Sequence, residues 1–277
     1  MVRAAAVVGI DKVRLTGGEP TLRADILDIV RRLAHVPGVN ELVMTTNGLR
    51  LPELARGLAQ AGLHRVNIHI DSLDGIRLSH LMRFNSLSKV WAGIEAAERA
   101  ELQPIKINMV VARDYNAQDV VDMARLTLKH PWHIRFIELM PLGEMADFAL
   151  NQYVSTGDTM ERIQMELGPL VPINHGHLLG EAQLFKLADA NGTLGFISPV
   201  SSPYCDKCSR LRVTADGYIR PCLLSDQELI LREVLRAGGT QADLEALFRQ
   251  AIEAKPVGRN LQQGIHPRNR VMGQIGG

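Results

Sequence analysis

The sequence predicts an α/β fold: βα units building a parallel, barrel-like sheet, followed by a smaller appended part. Three observations predict it. In the first half, short apolar runs rich in β-branched residues alternate with stretches of helical period. Such alternation implies crossover helices, and therefore parallel pairing. After about Pro141 the rhythm changes, and the cysteines all fall in that second part.

The chain opens with Arg3–Val8, which has the character of a helix end placed directly before the first strand. This start predicts that an earlier strand–helix unit is missing and that the first strand is an unprotected edge. Strands are expected over Lys12–Thr16, Glu41–Thr46, Arg65–Asp71, Pro104–Val111 and Trp132–Leu139. Helices are expected over Ala24–Ala34, Pro52–Ala61, Leu87–Arg99 and Ala117–Lys129. Pro52 suits a first helical turn, and Asn116 is placed to cap the helix that follows it. Beyond Pro141 one helix is expected near Asp158–Leu167. A hairpin should join Gln183–Leu187 to Thr193–Ile197 about the turn sequence Asp189-Ala-Asn-Gly. Amphipathic helices follow over Asp226–Arg236 and Thr240–Ala254, the second opening with a Thr-x-x-Asp capping pattern. The polar, glycine-rich tail Gly258–Gly277 predicts neither helix nor strand. The expected division is residues 1–140 and 141–277.

The 277 residues carry 31 Lys and Arg against 30 Asp and Glu, a formal net charge of +1. That balance argues against a general nucleic-acid coat or an electrostatically held membrane protein, and leaves room for a local basic pocket. Aromatic residues are 4%, too few for a base-stacking surface. The apolar run Ala4–Ile10 is too short to span a bilayer. It follows a single Arg3 and runs into Asp11-Lys12, so it makes a poor signal peptide. The expected location is the cytoplasm.

Cys205-Asp-Lys-Cys208 followed by Cys222 has C-x2-C-x13-C spacing. Three clustered thiols outside a disulfide framework point to metal or redox chemistry. They fit an iron–sulfur cluster with one open iron, or a zinc site needing a fourth ligand such as His175 or His177. Spacing alone does not separate iron from zinc, and buried structural cysteines are the plainer alternative. Arg210 and Arg212 share a face if extended, as do Lys12 and Arg14. Such paired cations suit a phosphate or carboxylate, the alternative being a solvated face paired with Asp206 and Asp216. Lys12–Leu15 runs into Gly17-Gly18-Glu19-Pro20 at a strand's carboxyl end, where α/β folds bind ligands. Thr45, His69, Lys106 with Asn108, Arg135 and Met140 lie at or near the same rim.

Several of these segments, taken in order, carry a family resemblance. They are Lys12-Val-Arg-Leu-Thr-Gly-Gly-Glu-Pro20, Thr46-Asn-Gly48, Val66-Asn-Ile-His-Ile-Asp-Ser-Leu73, Lys106-Ile-Asn108, Arg135-Phe-Ile-Glu-Leu-Met-Pro141, Cys205–Gly217 and the closing Gly276-Gly277. The whole chain resembles the GTP 3′,8-cyclases, the molybdenum cofactor biosynthesis protein A family of the radical S-adenosylmethionine (SAM) superfamily. The resemblance implies a partial TIM-like (β/α) barrel lacking its first strand, its open side covered by a C-terminal α+β part that holds a cluster and GTP. It implies conversion of GTP to a 3′,8-cyclised nucleotide after one 4Fe–4S cluster cleaves SAM. A second 4Fe–4S cluster, held by Cys205, Cys208 and Cys222, would meet the purine through its open iron. Arg14, Thr45, Lys106, Arg210 and Arg212 match GTP contacts, and Lys12 and Arg135 match other positive positions of the pocket. Gly18 and Met140 match SAM contacts, and Gly276 and Gly277 match a tail that supports catalysis. The implied partners are GTP, SAM and, along the pathway, the accessory protein cyclic pyranopterin monophosphate synthase; a homodimer is compatible with the sequence, which does not fix the oligomeric state. Neither nucleic acid nor membrane is implied. Two departures stand out. The chain contains no C-x3-C-x2-C loop for the SAM-cleaving cluster, and His69 stands where the family usually has a SAM-contacting serine. The missing loop leaves an alternative: a remnant that binds GTP and one cluster without turnover.

Overall fold

The computed structural model describes residues 1–82, 86–173, 182–256 and 267–276. Helix α1 (Val2–Val7) leads into β1 (Lys12–Leu15), α2 (Ile26–Ala34), β2 (Glu41–Thr46), α3 (Leu51–Gln60) and β3 (Arg65–His69). Then come α4 (Gly75–Met82), α5 (Leu87–Arg99), β4 (Lys106–Val111), α6 (Val120–Lys129) and β5 (His133–Glu138). The second part holds α7 (Ala146–Asn151), α8 (Thr156–Leu167), β6 (Val171–Pro172), β7 (Ala182–Lys186) and β8 (Thr193–Ile197). It continues with β9 (Arg212–Val213), β10 (Tyr218–Arg220), β11 (Leu229–Ile230), α9 (Leu231–Arg236), α10 (Gln241–Glu253) and α11 (Met272–Ile275).

The fold is α/β on a mostly parallel sheet of eight strands, ordered β1-β2-β3-β4-β5-β8-β7-β6. Pairing is parallel from β1 through β8 and antiparallel beyond it. The sheet therefore crosses residue 140, because β8 continues it beside β5. Strands β9, β10 and β11 make a separate antiparallel sheet.

Helices α2, α3, α5, α6 and α8 bury apolar residues in the cluster on the outer face of the large sheet. Helix α3 buries Leu51, Ala55 and Leu58, spaced for one face of a 3.6-residue period. Helix α5 buries Val90, Gly93, Ile94 and Ala97 in the same way. A Cβ on Gly93 would stand 2.2 Å from the Gly48 carbonyl oxygen, so glycine lets α5 close on the turn after β2. The small sheet joins the molecule through a second cluster, in which Ala4 and Ala5 of α1 pack with Ile219, Leu231, Leu244 and Phe248.

The predicted strands of the first half form, each within a residue or two of its expected ends. The hairpin about Asp189 forms as β7 and β8, with Asp189 at φ +57°. The capping box at Thr240 and Asp243 is present, with the Asp243 amide donating to Thr240 Oγ1 at 3.3 Å. Three expectations need correction. Asn116 does not cap with its side chain: its carboxamide accepts from the Ala112 amide and donates to the Asp71 and Val110 carbonyls. Asp226–Arg236 is not one helix, because β11 occupies Leu229–Ile230 and only Leu231–Arg236 coils. The tail is not featureless, since α11 forms over Met272–Ile275. Helices α4 and α7 were not expected at all. His175, His177 and Gly277 lie outside the described residues.

Candidate functional site

Alternate residues of a strand share a face. On the face turned from the helices, the strands present Lys12 and Arg14 (β1), Glu41 and Thr45 (β2), Arg65, Asn67 and His69 (β3), Lys106 and Asn108 (β4), and Arg135 (β5). The register aligns Lys12 with Glu41, Asn67 with Lys106, and Asn108 with Arg135. In a closed (β/α) barrel these layers are branched and apolar. Here they are largely charged or polar, with Val43 set between Arg14 and Arg65.

At the carboxyl ends of the strands this face borders a cavity of about 450 Å³. Arg14, Thr45, His69 and Asn108 line one side, with Gly18 and Met140 at the loops that follow β1 and β5. Cys205, Cys208, Cys222, Arg210 and Arg212 line the other, and Gly276 of the tail reaches the same space. Of the residues singled out in the sequence, Lys12, Lys106 and Arg135 do not line the cavity. They occupy the layer beneath it, on the same strands.

That lower layer is organised by Glu41. Its carboxylate meets Lys12 Nζ at 2.5 Å and Arg65 Nη2 at 2.5 Å. Arg65 also donates to Asn67 Oδ1 at 3.2 Å, and Arg135 Nε donates to Asn108 Oδ1 at 2.8 Å. Among the described residues, the side chains of Arg14 and Lys106 make no hydrogen bond or ion pair. Burial and the charges of Arg65, Arg135 and Lys12 push the Lys106 ammonium down to about 7. Burial, then Arg14 and Arg65, push the Arg135 guanidinium down to about 9. Arg210 falls to about 9 for the same reason, with Arg14, Arg212 and Arg135 as its neighbours. Burial and Arg14 also lower Arg212. The cations thus repel one another across a shared space, which an anion placed there would relieve.

Glu19 locks the Gly-Gly turn to the end of β2. It accepts from the Thr21 amide at 3.0 Å, Thr46 Oγ1 at 2.8 Å and the Asn47 amide at 2.7 Å. Gly17 sits at φ +129°, a conformation that favours glycine. His69 Nε2 lies 2.9 Å from Asp71 Oδ2. Burial favours the neutral ring, but the Asp71 carboxylate outweighs it and raises the His69 pKa.

The cysteine wall is a loop with short elements around it. Gly217, at φ +87°, makes the turn between β9 and β10, and Cys222 follows β10 after Pro221. All three cysteines are free thiols, and the Leu224 amide donates to Cys222 Sγ at 3.3 Å. Among the described residues, no group of three His, Cys, Asp or Glu could hold a single metal ion. Arg220 borders the cavity but is structural: it is fully buried, with Nη1 2.6 Å from Glu228 Oε1.

Sequence reasoning missed three contributors. Glu41 and Arg65 share strand parity with Thr45 and His69, so alternation could have found them. Lys255 had no such signal. It follows α10, and its Nζ donates to the Arg210 carbonyl at 2.6 Å and the Pro221 carbonyl at 2.9 Å, with Cys208 Sγ at 3.6 Å. It staples the two cysteine-bearing segments together.

Residues 1–127 match the family model for the Radical SAM superfamily, and residues 132–261 match that for Molybdenum Cofactor Synthesis C. A protein of Pelotomaculum thermopropionicum named GTP 3′,8-cyclase is 43% identical over 277 residues, covering all of this chain and 85% of the relative. One of the same name from Moorella thermoacetica is also 43% identical, with the same coverage. A solved structure described as native anSMEcpe with bound AdoMet and Cp18Cys peptide superposes at a TM-score of 0.43 and 16% identity. It covers 60% of this chain and 51% of that one, a likeness too slight to carry an argument. Among the described residues, no helix is long and apolar enough to cross a membrane.

Proposed function

Because this chain belongs to the GTP 3′,8-cyclase family, radical SAM enzymes of molybdenum cofactor biosynthesis, we propose that its charged cavity is where GTP and SAM meet. The observation that carries the reading is one cavity lined by three cysteines together with Arg14, Arg210 and Arg212. A nucleoside triphosphate is a polyanion with a planar base, and it needs cations at one end and a specific contact at the other. Arg14, Arg210, Arg212 and Thr45 would hold it directly, over the field of Lys12, Lys106 and Arg135. Gly18, His69 and Met140 would form the SAM side. Gly276 and Gly277 would close the cavity as the tail.

The residues present fit an iron–sulfur cluster. Three free thiols face one cavity, Lys255 and the Leu224 amide direct N–H groups at two of the sulfurs, and three thiolates would leave an iron open. Cys205, Cys208 and Cys222 would hold it, and it would supply a coordination position for the purine. Six neighbouring strands, each about 4.8 Å from the next, border a single cavity, which supports a sheet curved into a partial barrel, with the cysteine loop, the small sheet and the C-terminal arm as its cover.

The 277 residues contain three cysteines, all in this segment. That observation favours a second reading, in which these residues bind GTP and one cluster and do not themselves start the radical reaction. One series of measurements separates the readings. Anaerobically isolated protein is analysed for iron, sulfide and zinc, and GTP binding is measured by calorimetry. Iron and sulfide with GTP binding support the proposal, and SAM cleavage on adding reductant then selects the enzyme over the binding reading. Stoichiometric zinc without iron, or no GTP binding, rejects both.

A further inference from the structure

We infer that Arg270 is a positioning residue that docks the C-terminal arm, residues 267–276, so that Gly276 is delivered to the cavity; the docking is independent of which ligand the cavity takes, and its importance for GTP rests on the reading above. Two carboxylates hold its guanidinium in fork geometry. Nε and Nη2 donate to Glu228 at 2.6 and 2.9 Å, and Nη1 and Nη2 donate to Asp216 at 3.2 and 2.9 Å. The Tyr218 ring lies under it, 5.2 Å from centroid to guanidinium carbon. Arginine alone among the side chains offers enough planar donors for two bidentate carboxylates.

The arm has further fastenings on both sides of Arg270. The amides of Arg268 and Asn269 donate to the Asp226 carboxylate at 2.9 and 3.2 Å. The Gly143 amide donates to the Pro267 carbonyl at 2.9 Å. Ile275, the last residue of α11, is buried, and Arg212 Nη1 donates to the Gly276 carbonyl at 2.6 Å. Gly276 is left-handed, at φ +84°, and a Cβ there would stand 2.6 Å from Thr16 Oγ1. The arm therefore spans from the small sheet to the end of β1, and at Gly276 a larger residue would be strained by the left-handed backbone and would have to displace the Thr16 hydroxyl.

Glu228 gives the docking a wider reach. The carboxylate that grips Arg270 also grips Arg220, which stands two residues before Cys222. One side chain thus registers both the arm and the strand that leads to a cysteine of the site.

The test is hydrogen exchange on the full chain, read by peptide, for wild type, Arg270→Met and Arg270→Lys. In R270M the amides of the arm should exchange about tenfold faster or more, with peptides from β1–β5 unchanged. In R270K the arm should lie between the two, because lysine keeps the charge and loses the double fork. Arg270→Gln, which keeps a polar side chain and loses the charge and the fork, should loosen the same peptide and carries the test if R270M does not fold. Arm exchange within twofold of wild type in the folded variants overturns the inference. GTP calorimetry on the same wild-type sample keeps the two ideas apart: absent GTP binding with an R270M-sensitive arm sinks the nucleotide reading alone.

Discussion

Titrating Lys106 probes the electrostatics beneath the cavity directly. Its ordinary pKa of 10.5 drops to about 7 in the folded, ligand-free chain, through burial and then Arg65, Arg135 and Lys12. An anion bound above this layer would reverse the effect and return the proton. At pH 8 a group with pKa 7 is about 9% protonated, so binding would take up about 0.9 proton at this site. Above pH 7 the affinity for GTP should then fall about tenfold per pH unit on account of Lys106, or about 1.4 kcal/mol for each unit. The perturbation is Lys106→Arg, which keeps a charge that gives up its proton far less readily than lysine in the same surroundings. Calorimetry at pH 8 in two buffers of different ionisation enthalpy measures the proton uptake. Protons released or bound by GTP itself are common to both proteins and cancel in the difference. Wild type should take up most of a proton more than K106R, and only wild type should show the steep decline between pH 7 and 9. A difference below about 0.2 proton, or parallel pH profiles, would refute the reasoning. Stability of the ligand-free chain should move in the opposite direction. The folded pKa lies below the unfolded one, so between pH 7 and 10.5 the unfolded chain binds more protons and stability rises with pH. The full interval would be worth about 5 kcal/mol, and partial solvent access to the ammonium reduces it to about 2 kcal/mol.

Other predictions concern the frame that holds the site. Glu138 is buried and accepts from the amides of Thr156, Val200 and Ser201, each at 2.9 Å, and from Tyr153 Oη at 3.1 Å. Glu138→Ala should therefore lower stability by about 3–5 kcal/mol in urea unfolding, and a loss below about 1 kcal/mol would mean that water replaces the carboxylate. Gly93→Ala places a methyl 2.2 Å from the Gly48 carbonyl oxygen, and it should cost about 2–4 kcal/mol by thermal unfolding as α5 is forced outward. Thr240→Ala removes the cap of α10 and should cost about 1 kcal/mol by the same assay, leaving metal content unchanged.

The parts of this fold that were legible in the sequence are those set by local periodicity. The apolar runs Glu41–Thr46 and Lys106–Val111 announce strands because both faces, or one face and its alternation, are written in consecutive residues. The same period of two put Lys12 with Arg14, and Lys106 with Asn108, on one side, and that side is the one nearest the cavity. What escaped depends on distant chain. Asp226 resembles the first residue of a helix, yet its carboxylate is used by the amides of residues about forty positions later. Asn116 resembles a cap, yet buried carbonyls at Asp71 and Val110 compete for it and win. Helix α11 is four residues in a glycine-rich stretch, and its own propensity would not sustain it. It forms where Ile275 is buried and Arg212 holds the residue after it. Lys255 has no motif at all, because its role is defined by two carbonyls that only the folded chain brings together.

The placement of charge explains why this sheet has an inner face unlike a packed barrel. The large apolar cluster, with Leu42, Met44, Ile68, Ile107 and Phe196, lies between the sheet and its helices. It supplies the stability, at roughly 1.5–3 kcal/mol for each large side chain buried. The inner face contributes little of that, and its crowded cations work against folding, as the lowered values at Lys106, Arg135 and Arg210 record. A chain selected only for stability would fill those positions with valine and leucine. Retaining Lys12, Arg65, Lys106 and Arg135 in one layer, where the Glu41 carboxylate pairs with the first two alone, makes sense when the deficit of negative charge is supplied by a ligand. On that argument a bound polyanion should stabilise the protein beyond what its contacts alone provide, because it also removes repulsion already present. Thermal unfolding with and without inorganic triphosphate tests this without any chemistry at the cysteines. The rise in Tm should shrink in wild type as pH increases from 7 to 9 and stay nearly constant in K106R, and equal rises in both proteins across that range would show that the repulsion has another outlet.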